Sequence, residues 1–265
     1  MIRLAVIGVN ETRFQALSAR LRGAVLERSA TAECDAIAYL GTPFDEFERM
    51  EISGKPILVA ADLRYARLHQ LVSAEPNVIV TNADRYLPSL QLIKQHLNSG
   101  KLGTPGLVRI HRWQTHTGQA SVWHDLDLIG WYFAADVRAV YAVQHVRGLH
   151  VHLGMGEKGM ATIDLATIPA GDPYYSLTVI GAHGAAYADD HANVQLAYQG
   201  DQPRGIRTEE GVVQFATLLQ EFIDAVASGR IDSFDRTNVG AILQISNALT
   251  QSFQTKQAIV LAEDK

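Results

Sequence analysis

The chain has 265 residues, 47% of them hydrophobic and 19% charged, with a formal net charge of −5 and a single cysteine. This length supports one large domain or two smaller ones, each with its own core, and the acidic balance excludes nucleic acid as an expected partner because that needs basic surface. No apolar run reaches the roughly 18 residues that span a bilayer, so no membrane is expected, and the lone Cys34 cannot form an internal disulfide and fits a cytoplasmic setting.

The opening MIRLAVIGV has one early basic residue and a short apolar run with no small-residue cleavage site, so it reads as a strand rather than a signal peptide. Residues 2–8 form that strand, a compact apolar run broken only by Arg3 and ending in glycine, as expected of a strand buried in a parallel sheet. Asn10 or Thr12 can cap the helix that follows, with Phe14, Leu17 and Leu21 as its apolar stripe. Short strands are expected at 24–26, 35–40, 56–60 and 77–81, with a helix at 63–74. Pro88 opens a further helix that carries Leu90, Ile93 and Leu97 and stops at Gly100. Strands alternating with helices imply right-handed crossovers and a parallel, doubly wound sheet.

After Gly103 the pattern changes. Longer strands are expected at 107–113, 137–146, 150–155, 159–166, 175–180 and 194–198, interrupted by helices at 122–133 and 213–227 and followed by a helix at 237–255. Strands segregated from helices indicate an α+β domain on an open, mostly antiparallel sheet. Gly103, Pro105 and Gly106 mark the boundary. The expected organisation is a truncated Rossmann-like domain over 1–104 and an α/β domain over 105–265.

Several segments resemble the Gfo/Idh/MocA family of oxidoreductases, in the family's order. They are RLAVIGVN, CDAIAYLGTP, GKPILVAADL, DRYLPSLQLIKQHLNSGKLGTPGLVRI, HDLDLIGWYFA, FATLLQEFIDAVASGR and NALTQSFQTKQAIVL. The resemblance covers nearly the whole chain. It implies a Rossmann-type domain, an open-faced second domain whose sheet mediates homo-oligomers, and NAD(P)-dependent chemistry on a sugar, polyol or related small molecule. It places NAD or NADP against Gly8, Val9, Asn10, Thr42 and Pro43, and makes His124 the catalytic histidine.

The chain departs from the family at several of these places. A dinucleotide turn uses glycines so that the backbone can approach the pyrophosphate at a helix N-terminus. GVNETR keeps Gly8 but has Asn10 and Arg13 where the second and third glycines belong. Asn tolerates left-handed backbone; Arg13 either reaches a phosphate or lies solvated on the helix. The ribose-binding acid lies about 20 residues beyond the glycine loop, where Glu27 is the candidate, or else an ordinary surface residue. Too little chain separates it from Asp35 for a helix and a strand, so one crossover unit is missing. Ala60, Ala61 and Asp62 stand where the family has Glu-Lys-Pro, and a methyl group cannot replace an ammonium as proton donor. Lys55 precedes that strand and is not assigned the role. Ala120 replaces the aspartate one turn before His124, while Asp125 and Asp127 remain. Histidine ordinarily titrates near neutral pH and can serve as a base.

Other clusters admit two uses each. His111, His116 and His124, with His150 and His152 alternating onto one face of a strand, would bind a divalent metal if three of them converged with Asp125 or Asp127, and otherwise are hydrogen-bonded surface residues. Trp113, Trp123, Trp131 and Tyr132 form either a carbohydrate-stacking wall or helix packing. Tyr174, Tyr175 and Tyr187 serve sheet packing or an oligomer face. Three readings follow. One is a dehydrogenase with degenerate motifs. The second is a non-catalytic relative that binds a ligand or partner on the same scaffold, and the third, a minor one, is a metal-assisted lyase or hydrolase.

Overall fold

Short apolar strands at the start of the chain pair side by side in one direction. The computed structural model describes residues 1–30, 33–41, 54–60, 77–114, 122–167, 174–189 and 210–261. Within them β1 (Ile2–Ile7), β2 (Ala24–Glu27), β3 (Ala36–Tyr39), β4 (Ile57–Val59) and β5 (Val78–Val80) form a parallel sheet in the order β2-β1-β3-β4-β5. β3, β4 and β5 are buried at every position, which explains their uninterrupted apolar sequences. Only residues 28–35 separate β2 from β3, although the two strands lie on opposite sides of β1. That connection has no room for a helix and a strand, and β2 is left at the sheet edge.

Helix α1 (Glu11–Ser18) follows β1, and a 3-10 turn at Ala83–Tyr86 follows β5. The core on one face of this sheet joins Leu4, Val6, Ala38 and Leu58 to Leu218, Leu219, Phe222 and Ile223. The latter four lie on α4 (Glu210–Ala227), so a late helix returns to complete the first unit. Phe222 meets Phe234 edge to face, at a centroid distance of 5.9 Å.

The first compact unit is therefore Met1–Leu87 with Glu209–Val239, and the second is Pro88–Thr208 with Gly240–Lys265. A division at 104/105 differs from this in two segments. Helix α2 (Pro88–Asn98) packs within the second unit, where the hydroxyl of Tyr132 donates to the Leu90 carbonyl at 3.1 Å. α4 belongs to the first unit because its apolar stripe meets β1.

The second unit is a seven-stranded sheet in the order β11-β10-β6-β9-β8-β7-β12. Its strands are β6 (Pro105–Gln114), β7 (Ala139–His145), β8 (Gly148–Gly154), β9 (Met160–Thr167), β10 (Tyr174–Gly181), β11 (Ala185–Asp189) and β12 (Ile259–Val260). β6 and β9 pair in parallel and the other pairs are antiparallel. Alternate residues such as Val108, Ile110, Val151, Leu153, Ile163 and Leu177 are buried on one face. α3 (Trp123–Phe133) packs against β6, and α5 (Val239–Thr255) meets β7 where the Ser252 hydroxyl accepts the Ala142 N–H at 3.0 Å. The opposite face leaves Tyr141, Val143, Met160, Ile180 and Tyr187 exposed. The expected helix at 63–74 and strand at 194–198 lie outside the described residues, and so do Thr42, Pro43, Ala61, Asp62, His116 and Ala120.

Candidate functional site

In an open parallel sheet, ligands bind at the C-terminal strand ends where the strand order reverses. That reversal falls between β1 and β3, since β2 lies on one side of β1 and β3 on the other. A glycine follows each strand there, Gly8 directly after β1 and Gly41 two residues after β3. Gly8 has φ +83°, and a Cβ added to it would stand 2.5 Å from the Cα of Gly41. A Cβ on Gly41 would stand 2.2 Å from the Gly8 carbonyl oxygen. Neither position admits a side chain, and Gly8 also needs the left-handed backbone that only glycine adopts freely.

Asn10 is not the left-handed residue of this turn. Its φ is −72° and it caps α1, its side-chain oxygen accepting the Arg13 N–H at 2.9 Å. Arg13 lies with its guanidinium 5.5 Å from the Phe215 ring centroid. Glu11 stands in the first turn of α1, where Arg28 pairs with its carboxylate at 2.9 Å. Glu27 ends β2 and accepts from the Arg3 guanidinium at 2.7 Å. Arg3 also reaches Glu33 at 2.5 Å, and both carboxylates hold its pKa above the ordinary value. The backbone of the turn leaves room for a close ligand approach, while the carboxylate of Glu27 is engaged by an arginine.

Ala60 continues from β4, donating its N–H to the Tyr39 carbonyl at 2.9 Å, and is buried. Lys55 sits at the opposite, N-terminal edge of the sheet, its Nζ 3.6 Å from the Cys34 Sγ. It is remote from the strand ends where Gly8 and Gly41 meet.

In the second unit, His124 stands in the first turn of α3, half-buried, with its ring 3.7 Å from that of Trp123. Val122 offers no side-chain cap, so the negative charge of Asp125 in the first turn favours the helix start. Asp125 is fully buried and pairs with the Arg112 guanidinium of β6 at 2.8 Å. Arg112 in turn lies 5.0 Å from the Tyr175 ring centroid. This pair fixes His124 relative to the sheet.

The aromatic residues divide between two tasks. Trp131 and Tyr132 hold α2 and α3 together, with Lys94 donating to the Trp131 carbonyl at 2.5 Å, and Trp123 is buried. Trp113 instead stacks on Tyr174 at 4.1 Å on the open face of the sheet. They flank a concavity of about 620 Å³ that also receives His111, His145, His150 and Asp164.

The histidines divide as well. Asp125 lies toward the helix-covered face, whereas His111, His150 and His152 gather on the open face around Asp164. Asp164 pairs across β6 with His111 and across β8 with His150. Neither Asp164 nor the Arg112–Asp125 pair carries a motif. Only register brings these partners together.

No family model matches the chain, and no curated protein matches it. Solved structures do. A probable dehydrogenase from Thermotoga maritima has a TM-score of 0.73 at 18% identity, over 98% of this chain and 99% of that one. A myo-inositol dehydrogenase from Corynebacterium glutamicum has a TM-score of 0.72 at 17% identity, over 99% of each chain. A myo-inositol dehydrogenase from Lactobacillus casei, in complex with NAD(H) and myo-inositol, has a TM-score of 0.73 at 14% identity, over 100% of this chain and 98% of that one. The chain therefore shares the fold of these solved dehydrogenase structures over nearly its whole length.

Proposed function

We propose that the chain is an NAD(P)-dependent oxidoreductase of the Gfo/Idh/MocA type that acts on a sugar, polyol or related small molecule. The observation that carries this reading is the paired-glycine turn at the strand-order reversal of a parallel sheet, within a dehydrogenase fold matched end to end. The backbone of Gly8, Val9 and Asn10 would hold the pyrophosphate, and Thr42 and Pro43, which follow Gly41 in sequence, would face the nucleotide. The dinucleotide supplies the hydride acceptor when bound. His124 is the residue assigned to take the proton of the reacting hydroxyl. The Lactobacillus casei structure with NAD(H) and myo-inositol supports a polyhydroxylated substrate. The uncovered sheet face supports assembly into a homo-oligomer, and the single buried cysteine supports a cytoplasmic setting.

A second reading, a ligand-binding relative without dehydrogenase activity, is favoured by the buried methyl group of Ala60 and by the engagement of Glu27 with Arg3. One experiment separates the two. Purified protein is incubated with NAD or NADP and a panel of inositols and sugars, and nicotinamide reduction is followed by absorbance. The oxidoreductase reading predicts turnover with at least one polyol, reduced about 10²–10⁴-fold in His124→Ala. No turnover alongside a polyol-dependent rise in melting temperature would establish the ligand-binding reading instead.

A further inference from the structure

We propose that His150 and His152 form a chelating site for a divalent transition-metal ion on the open face of the second unit's sheet. This inference is independent of the dehydrogenase reading. The two residues alternate on β8, so both side chains stand on the same face. Their rings meet edge to face, with centroids 4.4 Å apart and an interplanar angle of 81°. That arrangement brings the two Nε2 atoms to 2.7 Å from each other.

The protonation pattern follows from Asp164. Its carboxylate accepts from His150 Nδ1, so the ring hydrogen of a neutral His150 sits on Nδ1 and its Nε2 presents a lone pair. His152 then supplies the one hydrogen between the two Nε2 atoms. A metal ion takes the place of that hydrogen, and His152 carries its own on Nδ1 instead. Two imidazole nitrogens bound to one ion at about 2.0–2.1 Å stand about 2.9–3.4 Å apart for angles from square to tetrahedral. The observed pair therefore needs to open by only a few tenths of an ångström.

Asp164 acts behind the metal ligands rather than among them. A carboxylate that holds the far nitrogen of a ligating histidine fixes its tautomer and raises its basicity. Asp164 is itself held by Arg109 at 3.8 Å and faces His111 Nδ1 at 3.4 Å. Tyr141 flanks His152 at a centroid distance of 6.4 Å. Among the described residues no group of three or more His, Cys, Asp or Glu is placed to hold an ion. The site is thus a two-nitrogen chelate whose remaining positions go to water or an incoming ligand. Nitrogen donors select Zn²⁺, Ni²⁺, Co²⁺ or Cu²⁺ over Mg²⁺ or Ca²⁺, with affinity rising from Co²⁺ through Ni²⁺ to Cu²⁺.

The test titrates the full chain, in its own oligomeric state and with any affinity tag removed, with CuCl2, NiCl2, CoCl2 and MgCl2 by calorimetry. The expected result is one site that ignores Mg²⁺ and follows the order above. His152→Gln and His150→Gln should each weaken it at least 10-fold, and Asp164→Asn about 10–100-fold, with the fold checked by circular dichroism. His183→Gln, whose histidine lies apart from the cluster beside the Gly100 carbonyl, should leave it unchanged. A second measurement needs no variant: Zn²⁺ should protect His150 and His152 of the wild-type chain from diethylpyrocarbonate, read by peptide mass spectrometry. Absence of a site in the wild type, full affinity in His152→Gln, or equal modification with and without Zn²⁺ would overturn the proposal.

Discussion

Glu221 on α4 stands beside the Tyr86 hydroxyl, which donates a hydrogen bond to its carboxylate. Loss of solvent around the carboxyl raises its pKa first, with Asp235 and Asp224 adding to the rise against the lowering effect of that hydrogen bond. Tyr86 is displaced upward too, chiefly by burial. The sign follows from proton linkage. Between the unfolded carboxyl's value near ~4.3 and the raised folded one, the folded chain holds more protons, so stability falls as pH rises through that window. Glu221→Gln keeps an acceptor for Tyr86 and removes the charge. It should raise the melting temperature at pH 7, a gain of up to about 0.5 kcal/mol for an exposed side chain. The gain should vanish below about pH 4; an equal or lower melting temperature at pH 7 would contradict this account. At this scale Gly8 was legible because a strand ending in glycine before a capped helix has few other uses. The need for Gly41 was not legible, because its reason is a backbone more than thirty positions away in sequence. Nor was Glu27's partner, since Arg3 reaches it across paired strands.

Among the elements, a buried charged contact ties α3 to the sheet. The Arg112–Asp125 pair joins β6 to the first turn of the helix, and Asp125 has no exposed surface. Breaking a buried ion pair by removing one partner typically costs about 3–5 kcal/mol. Arg112→Ala should therefore lower stability by that amount in denaturant unfolding and displace His124 with the helix start. A loss under about 1 kcal/mol would show that solvent already reaches the pair. The helices were readable from 3.6-residue periodicity and the strands of the second unit from alternation, including His150 and His152 on one face. β11 escaped because AAYAD is short and weakly apolar, and the parallel pairing of β6 with β9 is a property of register that alternation does not encode. The same blindness hid Asp164, whose partners lie on neighbouring strands.

For the molecule as a whole, the chain order of elements was enough to suggest the two-unit plan, because strand–helix alternation and strand-rich segments pack differently. The return of α4 to the first unit was less visible, since an apolar stripe does not name the sheet it covers. No helix among the described residues is long and apolar enough to cross a membrane. At the β11–β10 edge of the open sheet face Ile180 and Tyr187 are exposed at 44% and 60%, and a second copy of the chain would cover that edge, away from the histidines of β8. Light scattering should show a dimer or larger assembly that Ile180→Lys with Tyr187→Lys dissociates; a strictly monomeric wild type would contradict that assembly.

The paired-glycine turn stands at the centre of this account, because it is where a dinucleotide would bind if the fold retains its chemistry. The most direct test follows the intrinsic fluorescence of the three tryptophans during titration with NAD and NADP. A saturable change with at least one of them is predicted, and its loss in Gly8→Val variants that remain folded would place the ligand at the turn. A chain that shows no response to either dinucleotide at millimolar concentration, in fluorescence or in melting temperature, would contradict the proposed oxidoreductase function.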